Sequence, residues 1–299
     1  MMSNSKLTII CILSSLLLCH CSASKAIITK DSSIVEVAPW QYLFNGKNLD
    51  GWTVKVHHYE SGDNHANTFR VEDEIIKVRY DEYKGEFNDR FSHLYYDTPL
   101  SYYHLSMEYR FVGEIHPGTP SYAIKNSGIM FHSQAPHTML KEQDWPISVE
   151  MQFLAGIEQG KNRPTGNMCS PGTSIVYAGK LDERHCINSS SETLYGDQWV
   201  KADLVVLGDS LVQHYINDKL VMEYSKPQIG GGVANRYDPQ YKVDGKLLTQ
   251  GHIALQSEGQ PIDFKNVKLM NLEGCMDNMA INYGSHFKKS KPEDCKYKR

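Results

Sequence analysis

Two short segments place a carboxyl and an amide side chain two residues apart. In residues 148–153, Glu150 and Gln152 alternate with apolar residues, and in residues 255–259 Gln256 and Glu258 are spaced in the same way. Side chains two apart in a β-strand project from the same face, so each pair presents both groups together. Carboxyl groups exchange protons, and both groups hydrogen-bond to hydroxyls such as those of sugars. The alternative is that both glutamates lie on a solvated outer face, where acidic side chains are usually found.

A third segment, residues 126–132, begins with Asn126 and ends with His132. An amide and an imidazole at the two ends of a strand offer a hydroxyl ligand and a proton carrier. Trp145, just before Pro146, offers an aromatic face to a sugar ring. The structural alternatives are a histidine that hydrogen-bonds within the fold and a tryptophan that packs in the core.

Alternation with a period of two residues dominates the chain and predicts strands. It is clear in residues 105–111, and residues 69–79 form a predicted hairpin around a Glu72-Asp73 turn. Residues 204–224 predict a three-stranded meander, and residues 253–256 and 262–269 predict two more strands. No segment sustains helical spacing. Many short strands separated by regular turn signals indicate an all-β sandwich or barrel.

Three segments interrupt this pattern and are predicted to be long loops. Residues 57–68 are polar, residues 157–193 are rich in Gly, Pro and Asn, and residues 227–250 include three consecutive glycines. Long loops in a compact domain often line binding sites. We expect residues 157–193 to cross the sandwich surface. The glycine run lacks the Lys-Ser/Thr pair of a phosphate loop, so it predicts no nucleotide site.

The N-terminus carries three of the seven cysteines and predicts export. Lys6 precedes an apolar run over residues 7–18, which is too short to span a bilayer comfortably, and small residues follow. Cleavage after Ala23 would release a soluble protein. Lipidation of Cys19 or Cys21 would instead anchor it to a membrane. Either route places the protein in the periplasm or at the cell surface.

The other four cysteines are Cys169, Cys186, Cys275 and Cys295. Four cysteines allow three pairings, and pairing sequence neighbours, Cys169 with Cys186 and Cys275 with Cys295, is the most economical. Each bond would close a loop of about 20 residues and contribute about 3 kcal/mol in the chain-entropy model. The alternative, a zinc site, is disfavoured because there is no Cys-x-x-Cys motif and no paired histidine spacing.

The overall composition excludes some partners. The chain has 299 residues, 40% of them hydrophobic, and a formal net charge of −4. This balance supports a buried core, so wholesale disorder is not expected. The positive charges are scattered, so no nucleic-acid partner is predicted. The only membrane association that we expect is through the lipid anchor.

Several motifs follow one another in a fixed order. They are WQYLFNGKNLDGW at 40–52, NSGI at 126–129, VEMQ at 149–152, GDQW at 196–199, YIND at 215–218, and GHIALQSEG with FKNV at 251–267. Together they resemble the 3-keto-disaccharide hydrolase domain family. The resemblance covers about residues 40–272 and implies a concanavalin-like jelly-roll β-sandwich, which follows the export signal of residues 1–23. Residues 273–299 look like a small extension clipped by a disulfide.

The resemblance also implies a reaction on glycosides that are already oxidised at C3. A C3 ketone acidifies the C2 hydrogen, so a base can remove it and the C1 substituent leaves by elimination. Water then adds, which gives net hydrolysis. This chemistry needs one base, one proton donor and groups that stabilise the enolate, and it needs no nicotinamide.

The resemblance implies roles for the residues singled out above. Glu150 is expected to be the base or a main ligand, with His132 and Glu258 as further catalytic candidates. His132 stands where the family often has arginine, so its role carries over least directly. Substrate contacts are expected from Asn126, Gln152, Trp145 and Gln256.

We predict no cofactor and no metal. A structural calcium ion in the Asp- and Asn-rich loops is an alternative, although no EF-hand spacing is present. The competing functions are a non-catalytic carbohydrate-binding module and a structural surface spacer, since the fold by itself does not decide among them. The expected ligand of both the hydrolase and the carbohydrate-binding module is an oligosaccharide or glycoside.

Overall fold

The computed structural model describes residues 40–298, and the predicted export signal at residues 1–23 lies outside them. Strands dominate because the sequence alternates apolar and polar residues. In the strand Tyr102–Phe111, Tyr103, Leu105, Met107 and Tyr109 are buried in the core. The described residues contain no α-helix. No helix in this part of the chain is long and apolar enough to cross a membrane.

Nineteen strands follow one another along the described chain. The first ten are β1 (Trp40–Tyr42), β2 (Trp52–Val56), β3 (Phe69–Glu72), β4 (Ile75–Val78), β5 (Ser92–Tyr96), β6 (Tyr102–Phe111), β7 (Asn126–Ser133), β8 (Val149–Leu154), β9 (Asn167–Cys169) and β10 (Thr173–Tyr177). The others are β11 (Lys180–Asp182), β12 (Cys186–Ile187), β13 (Val200–Leu207), β14 (Leu211–Ile216), β15 (Lys219–Ile229), β16 (His252–Ser257), β17 (Ile262–Asn271), β18 (Glu273–Gly274) and β19 (Lys289–Ser290). Short 3-10 helices occupy His65–Asn67, Ser121–Ala123, Pro136–Thr138, Pro239–Tyr241 and Pro292–Asp294.

The strands form two large sheets. A ten-stranded sheet has the order β11-β10-β15-β14-β13-β6-β17-β4-β3, with β1 also paired to β17. A seven-stranded sheet has the order β12-β9-β8-β7-β16-β5-β2. All pairs within these two sheets are antiparallel, whereas the two-stranded β18–β19 ribbon is parallel. The predicted all-β jelly-roll sandwich is confirmed.

Apolar side chains from both large sheets form one continuous core. The seven-stranded sheet contributes residues such as Leu94, Phe131 and Met151, and the ten-stranded sheet contributes residues such as Leu105 and Phe264. Because side chains alternate along a strand, the neighbours of these residues project from the opposite face of their own sheet. That opposite face of the seven-stranded sheet carries Glu150 and Glu258.

The predicted hairpin, meander and late strands are present as β3–β4, β13–β15 and β16–β17. The hairpin turn lies one residue later than predicted, at Asp73 and Glu74, which both have positive φ. The expectation for residues 157–193 was wrong. This segment does not cross the surface as a loop, because β9 and β12 extend the seven-stranded sheet and β10 and β11 extend the other.

Both cysteine pairs are bonded as the economical pairing predicted. Cys169 pairs with Cys186 across neighbouring strands β9 and β12, and Cys275 bonds to Cys295 in the C-terminal segment. The first bond therefore joins β12, the edge strand of the seven-stranded sheet, to β9, which lies beside β8.

Candidate active site

A row of polar side chains crosses the outer face of the seven-stranded sheet. The register pairs Lys55 with His93, His93 with Gln256, and Gln152 with both Gly128 and Asn167. Continuing the pairing of Leu255 with Ile129 by one residue places Gly128 opposite Gln256. We call this set the polar row: Lys55, His93, Gln256, Gly128, Gln152 and Asn167.

Glu150 lies beside the polar row, in the space that a glycine leaves. A Cβ on Gly128 would lie 2.5 Å from Glu150 Oε1 and 2.9 Å from the Met151 carbonyl oxygen. The strand therefore accommodates this carboxyl group because residue 128 has no side chain. Glu150 is buried, and its burial together with the nearby charge of Glu258 raises its pKa well above the usual range.

Glu258 directly follows β16, which β7 separates from β8, and it has stabilising partners that Glu150 lacks. Asn126 Nδ2 donates a hydrogen bond of 2.8 Å to Glu258 Oε2. Burial raises the pKa of Glu258 to about 8, while the Asn126 hydrogen bond and the positive charge of Arg163 oppose the rise. The guanidinium of Arg163 is held by backbone carbonyls, including those of Lys125 and Ile124 at 3.1 and 2.7 Å.

Several buried polar atoms of this face have no hydrogen-bond partner among the described residues. They are Glu150 Oε1, Gln256 Oε1, Asn126 Oδ1 and His93 Nε2. Most buried polar atoms in proteins are paired, because an unpaired one costs about 1–3 kcal/mol. The amide oxygens of Gln256 and Asn126 can only accept, so a ligand that brings hydrogen-bond donors would satisfy them. Hydroxyl groups fit that requirement.

The loop between β7 and β8 covers part of this face. Its Met139 packs with Tyr95, Met130 and Ala254, which form a small apolar cluster next to the polar row. Lys55 anchors the same loop, because its Nζ donates to the carbonyl of Lys141 at 3.2 Å. The loop thereby covers Met130, the residue that pairs with Glu150 across β7 and β8.

Lys55 itself is a buried cation with its hydrogen bonds made. Besides Lys141, its Nζ donates to the carbonyls of Val56 and Tyr59, each at 2.9 Å. Burial lowers the pKa of Lys55 to about 8, although the charges of Glu60 and Glu142 oppose the change. These contacts assign Lys55 to holding the loops at this end of the row.

The family follows from the sequence match over this same region. The model of the 3-keto-alpha-glucoside-1,2-lyase-like domain matches residues 39–270. The chain belongs to this family. No curated protein matches the sequence significantly.

Several solved structures match the lyase-like domain at low similarity. One, from Parabacteroides distasonis and provisionally described as a glycosyl hydrolase, is 17% identical with a TM-score of 0.45, covering 78% of this chain and 94% of its own. The carbohydrate-binding module CBM66 of Bacillus subtilis is 11% identical with a TM-score of 0.41, covering 74% of this chain and 96% of its own. At this low similarity, the functions of these structures do not transfer to this chain.

The lyase-like domain brings five of the predicted site residues to one face. Glu150, Gln152, Gln256, Glu258 and Asn126 all belong to strands β7, β8 and β16 or directly follow them. The interpretation of the glutamates as solvated surface residues was wrong, because each is only 3% exposed. Gln152 is half-buried and accepts a hydrogen bond from Asn167 Nδ2 at 3.0 Å.

His132 lies elsewhere in the domain. The register between β7 and β16 shifts near the end of β7, and His132 there has a φ of 46°. This bulge changes the direction of the side chain, whose Nε2 bonds to the carbonyl of Gly208 at 2.9 Å in the turn between β13 and β14. Burial lowers the pKa of His132 to about 4. The structure thus does not bring His132 to the two carboxyl groups.

Trp145 is also placed differently from the expectation. It is 9% exposed and packs edge-on against Phe91, with ring centroids 4.0 Å apart, and lies 6.2 Å from His93. Phe91 lines a neighbouring cavity of about 600 Å³. Trp145 is therefore part of the apolar core and offers no open face to a sugar ring.

Three residues of the site were not singled out in the sequence. His93 lies in the alternating strand β5, so its shared face with Gln256 depends on strand pairing that local patterns do not reveal. Arg163 comes from a connecting segment with no local signal. Lys55 is the one charged residue of strand β2, and that is the one signal that could have drawn attention to it.

Proposed function

We propose that this protein cleaves 3-keto-glycosides by removing the C2 proton and eliminating the C1 substituent, after which water adds. The observation that carries the proposal is the pair of buried carboxyl groups beside unpartnered acceptor atoms. The charge of Glu258 raises the pKa of Glu150, so the two carboxyl groups lose their protons at different pH values. Two such groups suit one base and one acid.

Glu258 is the better base. Its pKa of about 8 lies near neutral pH, and the Asn126 amide and the Arg163 charge favour its ionised form. In the proposed first step the Glu258 carboxylate accepts the C2 proton. The C–H electron pair becomes the C2–C3 enolate, with negative charge on the former ketone oxygen.

Glu150 is the better proton donor, because burial and the Glu258 charge both keep it protonated. It donates its proton to the departing C1 oxygen as the C1–O bond breaks and a C1–C2 double bond forms. His93, whose pKa burial lowers to about 3, is neutral and can donate one N–H to the substrate. These roles differ from the expectation from the sequence, in which Glu150 was the favoured base.

The unpartnered acceptors supply substrate contacts. Gln256 Oε1 and Asn126 Oδ1 can each accept a hydrogen bond from a sugar hydroxyl. A site built to bind hydroxyl donors discriminates strongly against ligands that lack them, because its buried acceptors are then left unpaired. We further propose that the protein acts after export, in the periplasm or at the cell surface, with or without a lipid anchor.

The test is turnover of a 3-keto-disaccharide, measured as the release of free sugar. We expect Glu258→Gln and Glu150→Gln each to lower turnover by about 10²–10⁴-fold without unfolding. Glu108→Gln is the matched control, since Glu108 lies in the ten-stranded sheet and pairs with Lys265 and Asn266. Full turnover by both folded site variants would refute the assignment.

A carbohydrate-binding module is the second candidate, because the same acceptors suit binding alone. Wild-type protein that binds the 3-keto-disaccharide but releases no sugar, measured by calorimetry and product analysis together, would favour this function. In that case the two variants would weaken binding rather than turnover.

A further inference from the structure

A pair of adjacent histidines lies at the rim of the cavity beside the polar row. The rings of His57 and His58 stack with centroids 3.7 Å apart and an interplanar angle of 23°. One donor atom from each histidine and one from Glu142 all lie within 4.8 Å of one another. His57, His58 and Glu142 are called the His-His-Glu cluster below.

The hydrogen bonding of His57 fixes which nitrogen is available. Its Nδ1 lies 2.8 Å from the Asp89 carbonyl oxygen, which can only accept, so Nδ1 carries the proton. Nε2 then holds the lone pair, and it is buried without a partner in the described part of the chain. Only 7% of His57 is exposed. Ligating histidines typically have this arrangement, with one nitrogen fixed by an oxygen and the other directed at a metal.

His58 and Glu142 supply the other two donors. His58 Nδ1 lies 2.7 Å from Glu142 Oε2, which approaches the separation of about 3 Å between two ligands of one zinc ion. His58 also has a φ of 76°, a left-handed conformation that is uncommon for histidine and is often found where function constrains the backbone.

The surroundings favour a cation and leave room for it. Asp89 and Asp144 line the same cavity of about 600 Å³ as His57 and His58. The opposing charges are Arg236, an exposed side chain 3.9 Å from Glu142, the buried Lys55, and Lys141, which precedes Glu142 in the chain. Arg236 can move away from Glu142, since its side chain is 66% exposed.

We propose that the His-His-Glu cluster binds a divalent transition metal of the zinc class. Two imidazoles and one carboxylate form a three-ligand set that Zn²⁺ accepts, with an open position for water or another ligand. His57 would bind through Nε2. His58 and Glu142 would bind through the atoms that now share a hydrogen bond, and the His58 proton would move to Nε2. This departs from the sequence-based expectation of no metal.

The experiment uses untagged full-length protein, so that no tag histidines bind the metal, after treatment with a chelator. Zinc chloride alone is titrated by calorimetry, and the metal that remains after desalting is measured by mass spectrometry. We expect one equivalent of Zn²⁺ with a dissociation constant in the micromolar range or tighter. We expect His57→Gln to weaken the binding by at least about 100-fold.

His137→Gln is the matched control, since His137 is an exposed histidine in the Pro136–Thr138 helix. It should bind Zn²⁺ as the wild type does. Replacement by Co²⁺ should give a visible absorption band in the wild type that His57→Gln lacks. Equal Zn²⁺ binding by wild type and a folded His57→Gln variant would overturn the proposal, as would no binding at all. Neither outcome bears on the glycoside reaction, because metal binding is measured without substrate.

Discussion

The outer faces of the two sheets bury acidic groups in opposite ways. On the ten-stranded sheet, Asp263 is fully buried and contacts Arg79 at 2.6 Å and Arg110 at 2.9 Å. On the seven-stranded sheet, Glu150 and Glu258 are as deeply buried, and no described residue forms an ion pair with either. Ion pairs with arginine stabilise Asp263 in its charged form. Glu150 and Glu258 have no such pair, and buried acids of this kind are candidates for proton exchange.

Asp203 extends the comparison to pKa values. It lies on the same sheet as Asp263, with His104 at 2.9 Å and Lys201 at 3.3 Å. Burial raises its pKa, but hydrogen bonds from His104 and Ser106 outweigh burial, so the net change is downward. The pKa of Glu258 changes in the opposite direction. The difference shows that the charged partners, and not burial alone, decide how an acid behaves.

Among the tests of this comparison, the one with the largest expected effect concerns how Glu150 is positioned. Gly128→Ala introduces a Cβ 2.5 Å from Glu150 Oε1, so the carboxyl group must move. We expect turnover of a 3-keto-disaccharide to fall about 100-fold, because misplacing a reacting group by about 1 Å costs that much. Stability should fall by about 1–3 kcal/mol from overpacking, measured by urea unfolding.

The control for this variant is Gly232→Ala, because a Cβ there meets nothing within 4 Å. It should leave turnover and stability unchanged. If Gly128→Ala kept full turnover, Glu150 would not need its present position.

The next effect separates stability from activity. Asp263→Asn removes the charge that Arg79 and Arg110 contact, so we expect a loss of about 2 kcal/mol in the free energy of unfolding. Glu258→Gln removes a buried carboxyl that has no ion pair and should cost no stability. Urea unfolding of both variants, with turnover measured where each is folded, checks this. Equal destabilisation by the two substitutions would contradict the comparison.

The smallest effect is a pH dependence. The pKa of Glu258 is about 8 in the folded protein and near 4.5 when unfolded, so between these values the folded state binds more protons. Its contribution to stability is therefore fully present below about pH 4.5 and is lost as the pH rises toward 8. From pH 6.5 to 8 the wild type should lose on the order of 1 kcal/mol per pH unit relative to Glu258→Gln.

The measurement is a set of urea unfolding curves at several pH values for both proteins. Taking the difference removes the contribution of the buried histidines, which are common to both. Parallel pH profiles would mean that Glu258 is already ionised in the folded state at neutral pH.

The sequence predicted the features that depend on local alternation. Leu105 and its neighbours indicated a strand, and the two-residue spacing of Glu150 and Gln152 correctly placed them on one face. The burial of that face was not predictable. Met139 and Lys141 return over the sheet from the loop before β8, and neither contact leaves a local pattern.

Features that depend on distant pairing escaped the sequence analysis. The bulge that redirects His132 arises from the register between β7 and β16, which are more than a hundred residues apart. Residues 157–193 were mistaken for a surface loop because their short strands gain partners only from other parts of the chain. The influence of the Arg163 charge on Glu258 likewise depends on residues that are distant in the chain.

The Cys169–Cys186 disulfide has a consequence for how the molecule meets other chains. Cys169 lies directly opposite Glu150, and its partner belongs to β12, a two-residue strand at the edge of the sheet. A long open edge would expose a row of backbone donors and acceptors to pairing with a neighbouring molecule. The covalent bond instead fixes a very short strand there, so the edge beside the carboxyl group offers little template for aggregation.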